Sequence, residues 1–270
     1  MNSLDRNDLV QRIQSLSDGQ LGLMRLVIDA FDLPTAGTRN EDSEVVSGDF
    51  FVAFGDFLKL HHCLSKSYLD KTRFGVALER ILSATGRAAA TALSGTNRGH
   101  DITVDGERWS LKTHGEKSIK ADSLFISKFM ELGSGPWGDT DLNDLSGLRQ
   151  QFLGHLQGYD RVFQLRYFPI RPSGTDASTH RYELVEIPKA LLLEAASGEL
   201  RWAERSRTAV RCGYCTVTGD VGVKFRLYFD GGGERKLQIK DLRIDLCKIH
   251  ATWIFTATGR PPIPVADEQS

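Results

Sequence analysis

The sequence predicts an α/β (α+β) protein, a central mixed β-sheet flanked by helices and preceded by an N-terminal helical region. Three observations predict it. The first 69 positions carry apolar residues at helical spacing, segments beyond position 100 alternate apolar and polar residues as strands do, and helical patterns recur between those segments. The chain divides accordingly into an N-terminal helical region over 1–69, a core with a β-rich C-terminal part over 70–260, and a tail over 261–270.

Leu9, Ile13, Leu16, Leu21, Met24, Val27, Ile28 and Phe31 fall at helical spacings, and Ser17-Asp18-Gly19 breaks them into a helical hairpin. Residues 34–44 lack periodicity and are rich in turn formers, which predicts a loop or a partner-dependent segment. The apolar stretch from Phe50 to Leu64 predicts a helix. Asp70 is placed to cap another, in which Phe74, Ala77, Leu78, Ile81 and Leu82 share one face. Gly86 can end that helix, or the alanine-rich run to Leu93 can extend it. The period then changes: DITV, Asp105-Gly106 and ERWSLKT form the pattern of a hairpin closed by a two-residue turn. Further strands are expected at 123–129, 161–168, 181–187, 211–218, 223–229, 236–242 and 247–255, with helices over Leu145–Leu156 and Lys189–Ala196.

With 270 residues, 40% hydrophobic and 26% charged, the chain can bury a substantial core. No apolar run reaches the roughly 18–20 residues of a membrane helix, and the first segment has polar helical patterning, so the expected location is the cytoplasm, with no membrane partner. A net charge of −1 excludes a uniformly basic nucleic-acid coat; a DNA surface must come from local clusters. Two such clusters stand out, Lys117, Lys120 and Lys128 in one and Arg201, Arg205, Arg207 and Arg211 in the other, each interspersed with acids.

The hairpin carries the chemistry. Ser110 and Lys112 share one face of its second strand, while Trp109 and Leu111 share the other. If the apolar pair faces the core, the polar pair lies beside Asp101 at the start of the partner strand. A carboxylate that holds a divalent metal and an ammonium beside it are what phosphodiester hydrolysis uses: the cation polarises the phosphate and lowers the pKa of a water, and the lysine stabilises added negative charge or orients that water. The competing structural reading is an ion pair between Asp101 and Lys112 on a solvated face.

The segment GHDITVDGERWSLKT, with the preceding helix that contains Glu79, resembles the PD-(D/E)XK nucleases, which include most type II restriction enzymes and the mismatch-repair nicking endonuclease. The resemblance spans roughly positions 70–130. It implies a restriction-endonuclease-like core, magnesium-dependent cleavage of double-stranded DNA at a specific sequence, and a homodimer. It assigns catalytic roles to Asp101, Lys112, Ser110 and Glu79, with Asp101 and Glu79 as the magnesium ligands. Ser110 stands where the commonest pattern has Asp or Glu, so a second acid must come from elsewhere: Glu79, or downstream Glu116, Asp122 or Glu131. Glu107 has the opposite strand parity and ranks below these.

Cys212-x-x-Cys215 and Cys247-x-x-His250 have the ligand types of a zinc site, although both segments alternate like strands, which sends Cys212 and Cys215 to opposite faces. Buried reduced thiols are the alternative. Two other functions compete with the restriction enzyme: a DNA-repair or RNA-processing nuclease with the same centre, and a non-enzymatic zinc-containing DNA-binding protein that uses the cysteines.

Overall fold

A computed structural model describes residues 6–91, 100–115, 119–133, 142–170, 178–203, 211–232 and 234–257. The two expected N-terminal helices are α1 (Arg6–Gln14) and α2 (Asp18–Phe31). Ser17 separates them as the cap of α2: its Oγ accepts the Gln20 N–H, and the Gln20 side chain accepts the Ser17 N–H at 2.9 Å. Helices α3 (Gly48–Leu64) and α4 (Lys71–Ala84) follow, the latter capped by Asp70, which accepts the Arg73 N–H at 2.9 Å.

Besides Glu199–Trp202, a strand where none was expected, two segments before the hairpin depart from expectation. Thr35–Arg39, read as loop, is strand β1, and the alanine-rich run after Gly86 does not extend α4 but contains strand β2 (Ala89–Thr91). Neither has the alternation that marks a half-buried strand, because each is made by its partner. At β1 the pairing is so close that a Cβ on Gly37 would stand 2.1 Å from the Thr252 carbonyl oxygen, so glycine alone fits there.

The hairpin consists of β3 (Ile102–Val104) and β4 (Glu107–His114), with Asp105 and Gly106 at φ of 50° and 88° as a two-residue turn requires. Then come β5 (Ser123–Glu131), α5 (Leu142–His155), β6 (Arg161–Ile170), β7 (Ser178–Ile187), the short α6 (Lys189–Leu193), β8 (Glu199–Trp202), β9 (Cys212–Gly219), β10 (Gly222–Asp230), β11 (Lys236–Arg243) and β12 (Lys248–Ala257). Short 3₁₀ turns follow α5 and α6.

Among the described residues these strands form two sheets. A seven-stranded mixed sheet runs β1-β12-β7-β6-β4-β3-β2 and contains one parallel pair, β4 with β6. A five-stranded antiparallel sheet runs β5-β11-β10-β9-β8. Helices α3 and α4 cover one face of the mixed sheet through Phe54, Phe74 and Leu78, which meet Trp109, Leu111, Phe163 and Trp253. The opposite face packs Val162, Val185 and Ile187 against α5, α6 and the second sheet. Among the described residues no helix is long and apolar enough to cross a membrane.

Strand β4 lies between these two cores. Trp109, fully buried, stacks at a tilt on Phe163 with centroids 4.6 Å apart, and the Arg87 and Arg161 guanidinium carbons lie 5.4 and 5.5 Å from its ring. Trp109→Ala should therefore cost about 3–5 kcal/mol of stability in urea unfolding. A loss below about 1 kcal/mol would mean that this ring does not anchor the strand.

Candidate active site

Asp101 precedes β3, where its backbone N–H donates to the Trp109 carbonyl at 2.8 Å. Its carboxylate is held from two sides: Oδ2 accepts the Leu111 N–H at 2.6 Å, and Oδ1 meets the Lys71 ammonium at 2.7 Å. The backbone bond fixes the carboxylate across β4, and it exists because Asp101 continues the antiparallel register of Ile102 with Trp109. The ammonium comes from the first turn of α4, which lies close enough for a Cβ on Gly75 to meet the Leu111 side chain at 3.6 Å.

Lys112 is not paired with Asp101, as a surface ion pair would require. Its Nζ donates to Ser110 Oγ at 3.1 Å and lies 5.2 Å from the Phe129 ring centroid. Nor is this face solvated: Ser110 is 2% exposed and Lys112 8%, because β5 and α5 cover the polar side of the hairpin. Among the described residues no carboxylate reaches ion-pair distance of Lys112, so its charge is buried with only a neutral hydroxyl and a ring face beside it. Burial, reinforced by the nearby Lys71 and opposed by Asp101, pushes its ammonium down to about 8.

The rest of the wall comes from residues that the sequence reading did not single out. Phe129 on β5 packs edge-on against His155 and Tyr159, with centroids 6.1 and 6.2 Å away, and the latter two rings are 5.5 Å apart. Burial lowers the His155 imidazole below its ordinary value, Lys112 and Lys71 lower it further, and Asp101 opposes them. Gln164 on β6 stands beside Lys112 in the parallel register; its Nε2 donates to the Phe125 carbonyl at 2.8 Å, leaving Oε1 buried without a partner. Further along this face Arg166 and Glu183 form a buried pair at 2.7 Å. The contrast with Lys112 is plain, since Arg166 has its counter-charge. No local signal in the chain distinguishes His155 or Tyr159 from ordinary core aromatics; three-dimensional placement does.

Glu79 lies on α4 eight residues beyond Lys71, about 12 Å along the helix axis. It is half-buried and has no hydrogen bond or ion pair to Asp101 or Lys112. Among the other candidate acids, Glu131 pairs with Lys128 at 2.8 Å and Asp122 accepts from the Ser123 hydroxyl at 3.3 Å, while Glu116 lies outside the described residues. Trp109 Nε1 donates to Glu107 at 3.1 Å, which directs that acid away from the centre.

Of the basic clusters, Lys120 is exposed between β4 and β5, Arg201 lies on the edge strand β8 and Arg211 immediately precedes β9. Lys128 sits between Glu131 and Glu234, which neutralise it locally. Lys117, Arg205 and Arg207 lie outside the described residues.

The zinc reading requires a correction. Cys212, Cys215, Cys247 and His250 are not gathered: Cys215 is buried in the second core with Sγ 3.4 Å from the Ala195 carbonyl, and Cys247 Sγ is 3.7 Å from that of Arg243. His250 instead contacts Ser43 Oγ at 2.8 Å and Glu186 at 2.9 Å. The strand alternation that separates Cys212 from Cys215 is the physical reason. His250 does join Glu44 and Glu186 in a group whose ligand atoms lie within 4.8 Å of one another. Cations of the protein already occupy that group: Arg161 meets Glu186 at 2.6 Å and Lys248 meets Glu44 at 2.7 Å. It shares no residue with the Asp101 centre.

Comparison with known proteins matches the sequence to a family. The family described as SmaI, type II site-specific deoxyribonuclease, matches residues 9–255. The type II restriction enzyme SmaI of Serratia marcescens is 40% identical over 241 residues, covering 89% of this chain and 93% of that protein. No solved structure matches. A match over nearly the whole chain favours site-specific DNA cleavage over the repair, RNA-processing and zinc-protein readings. The chain belongs to the SmaI family of type II site-specific deoxyribonucleases, restriction endonucleases that cleave DNA at a specific sequence.

Proposed function

We propose that the chain cuts duplex DNA by magnesium-dependent hydrolysis at a centre formed by Asp101, Lys112 and Ser110, with Glu79 as a second acid. The observation that carries this reading is the Lys112 ammonium, almost fully buried and, among the described residues, without a carboxylate partner. Such a charge costs stability unless an anion meets it, and the scissile phosphate is the anion this family brings.

The donor set suits a hard cation. Asp101 offers an oxygen anchored by a backbone N–H on one side and already facing a cation, the half-exposed Lys71 ammonium, on the other. Magnesium held there would polarise the phosphate and lower the pKa of a water. Lys112 then balances the charge that builds on the phosphate as a water oxygen bonds to phosphorus and one P–O ester bond breaks. Ser110 holds the ammonium in place by accepting its hydrogen bond. Glu79 is kept as second ligand on the family resemblance, as a half-buried carboxylate without a partner among the described residues on the helix packed against β4. Because it lies about 12 Å along α4 from Lys71, the assignment requires it to approach Asp101 when the cation binds. Lys117, Lys120, Lys128, Arg201, Arg205, Arg207 and Arg211 are the candidate phosphate contacts of the DNA surface. A duplex has two strands to cut, so a homodimer acting at a symmetric site completes the reading.

Cleavage of plasmid DNA at discrete sites should require magnesium and stop in a chelator; cutting that persists in chelator would overturn the metal assignment. In single-turnover cleavage across a magnesium titration, Asp101→Ala and Glu79→Ala should each lose several orders of magnitude, and Ser110→Ala less than about tenfold. If Glu79→Ala cuts normally while Glu116→Ala is dead, the second ligand comes from beyond the hairpin.

Lys112 makes an opposite prediction for stability. Its folded value of about 8 lies below its ordinary 10.5, so the unfolded chain holds the proton more tightly. The penalty is fully present below pH 8 and disappears as pH rises from about 8 to 10.5. Lys112→Met should therefore abolish cutting yet raise stability at pH 7, by on the order of 3 kcal/mol, with the gain gone near pH 10.5. For the native enzyme kcat/KM should fall above about pH 8 as the ammonium is lost. A destabilised, or still active, Lys112→Met enzyme would remove the lysine from the centre.

A further inference from the structure

Tyr159 is fully buried in the wall of the centre, and its hydroxyl has no hydrogen-bond partner among the described residues. Its ring contacts are apolar or edge-on, to Phe129 and His155, the same Phe129 ring that faces the Lys112 ammonium. A residue wanted only for packing would be served as well by phenylalanine, since a buried hydroxyl without a partner is a penalty. The hydroxyl also stays protonated: burial pushes it well above its ordinary range, and the nearby Asp101 carboxylate pushes it the same way. Among the described residues it is thus a fixed donor without an acceptor, packed on the same Phe129 ring as a lysine without an anion.

We propose that the Tyr159 hydroxyl donates a hydrogen bond to a non-bridging oxygen of the scissile phosphate, with Lys112 acting on the same group. This rests on the assignment of the cleavage centre to Asp101 and Lys112. The acceptor arrives with the DNA, so a single incoming anion satisfies both the orphaned donor and the uncompensated ammonium. Gln164, whose Nε2 is engaged by the Phe125 carbonyl, does not compete for this role, because the atom it leaves unpartnered is an acceptor. His155 has an imidazole of the same wall but is only half-buried, so solvent can serve its nitrogens.

The test is Tyr159→Phe in the full-length enzyme, which removes the hydroxyl and keeps the ring. Its single-turnover rate at saturating cognate duplex should fall by about 10- to 100-fold. DNA affinity measured with calcium in place of magnesium should stay within about twofold, and the urea midpoint should hold or rise. A second readout separates phosphate contact from packing. In duplexes with sulfur replacing one non-bridging oxygen of the scissile phosphate, one diastereomer should be cut slowly by the native enzyme, and that penalty should shrink in Tyr159→Phe because the two changes remove the same bond. Native cleavage by Tyr159→Phe, or an unchanged sulfur penalty, overturns the inference, as does a slower rate that merely follows lost stability or lost affinity. Lys112→Met run alongside distinguishes the two levels. If it cuts, the centre itself is misassigned; if it is dead while Tyr159→Phe is fully active, only the hydroxyl contact fails.

Discussion

The structure turns on a lysine whose charge is enclosed, among the described residues, without a counter-charge. Lys112 lies between a mixed sheet and a second, antiparallel one, with its ammonium against Ser110 and the Phe129 ring. Apolar packing on both sides of β4 makes this tolerable: Trp109 and Leu111 fix the strand from one face, and the α5 and β5 core closes over the other. Global packing thus supports a local electrostatic deficit, and on the proposed reading an incoming anion relieves it.

The same enclosure explains the division of labour among the charged residues. Arg166 also lies on the inner face of the mixed sheet, but Glu183 neutralises it and the carbonyls of Lys120, Ala121 and Ser123 surround it, so it fastens the start of β5. Arg161 binds Glu186 and Glu44 at the other end of β6 and ties β7 to the segment before α3. Those cations are structural because each finds an acid within the fold. Lys71 is intermediate: it is paired with Asp101, yet half-exposed on the first turn of a helix, so it can leave the carboxylate without disturbing the core.

Much of this was legible from local chemistry. The Asp105-Gly106 turn fixes the register of the hairpin, and with it the common face of Ser110 and Lys112 and the position of Asp101 across from them. The caps at Ser17 and Asp70 mark the starts of α2 and α4, because a side-chain oxygen bonded to an orphan N–H is a short-range device. β1 was not legible: Thr35–Arg39 has no apolar alternation, and its strand character comes from pairing with β12 more than two hundred residues away. The cysteines have zinc-like spacing, but spacing along a chain says little once both segments are strands and their side chains diverge, and Cys215 lies in the core as a buried thiol.

What the sequence by itself determined was the hairpin and the helices, since turn chemistry, capping and periodicity act over a few residues. Only the tertiary structure decided that the polar face of β4 is buried rather than solvated, that Lys71 rather than Lys112 meets Asp101, and that His155 and Tyr159 pack on the Phe129 ring that faces Lys112. Those outcomes depend on how α4, α5 and β5 are laid against the hairpin. The dielectric around a side chain, and therefore its charge and its chemistry, is a property of everything packed around it and of no segment alone.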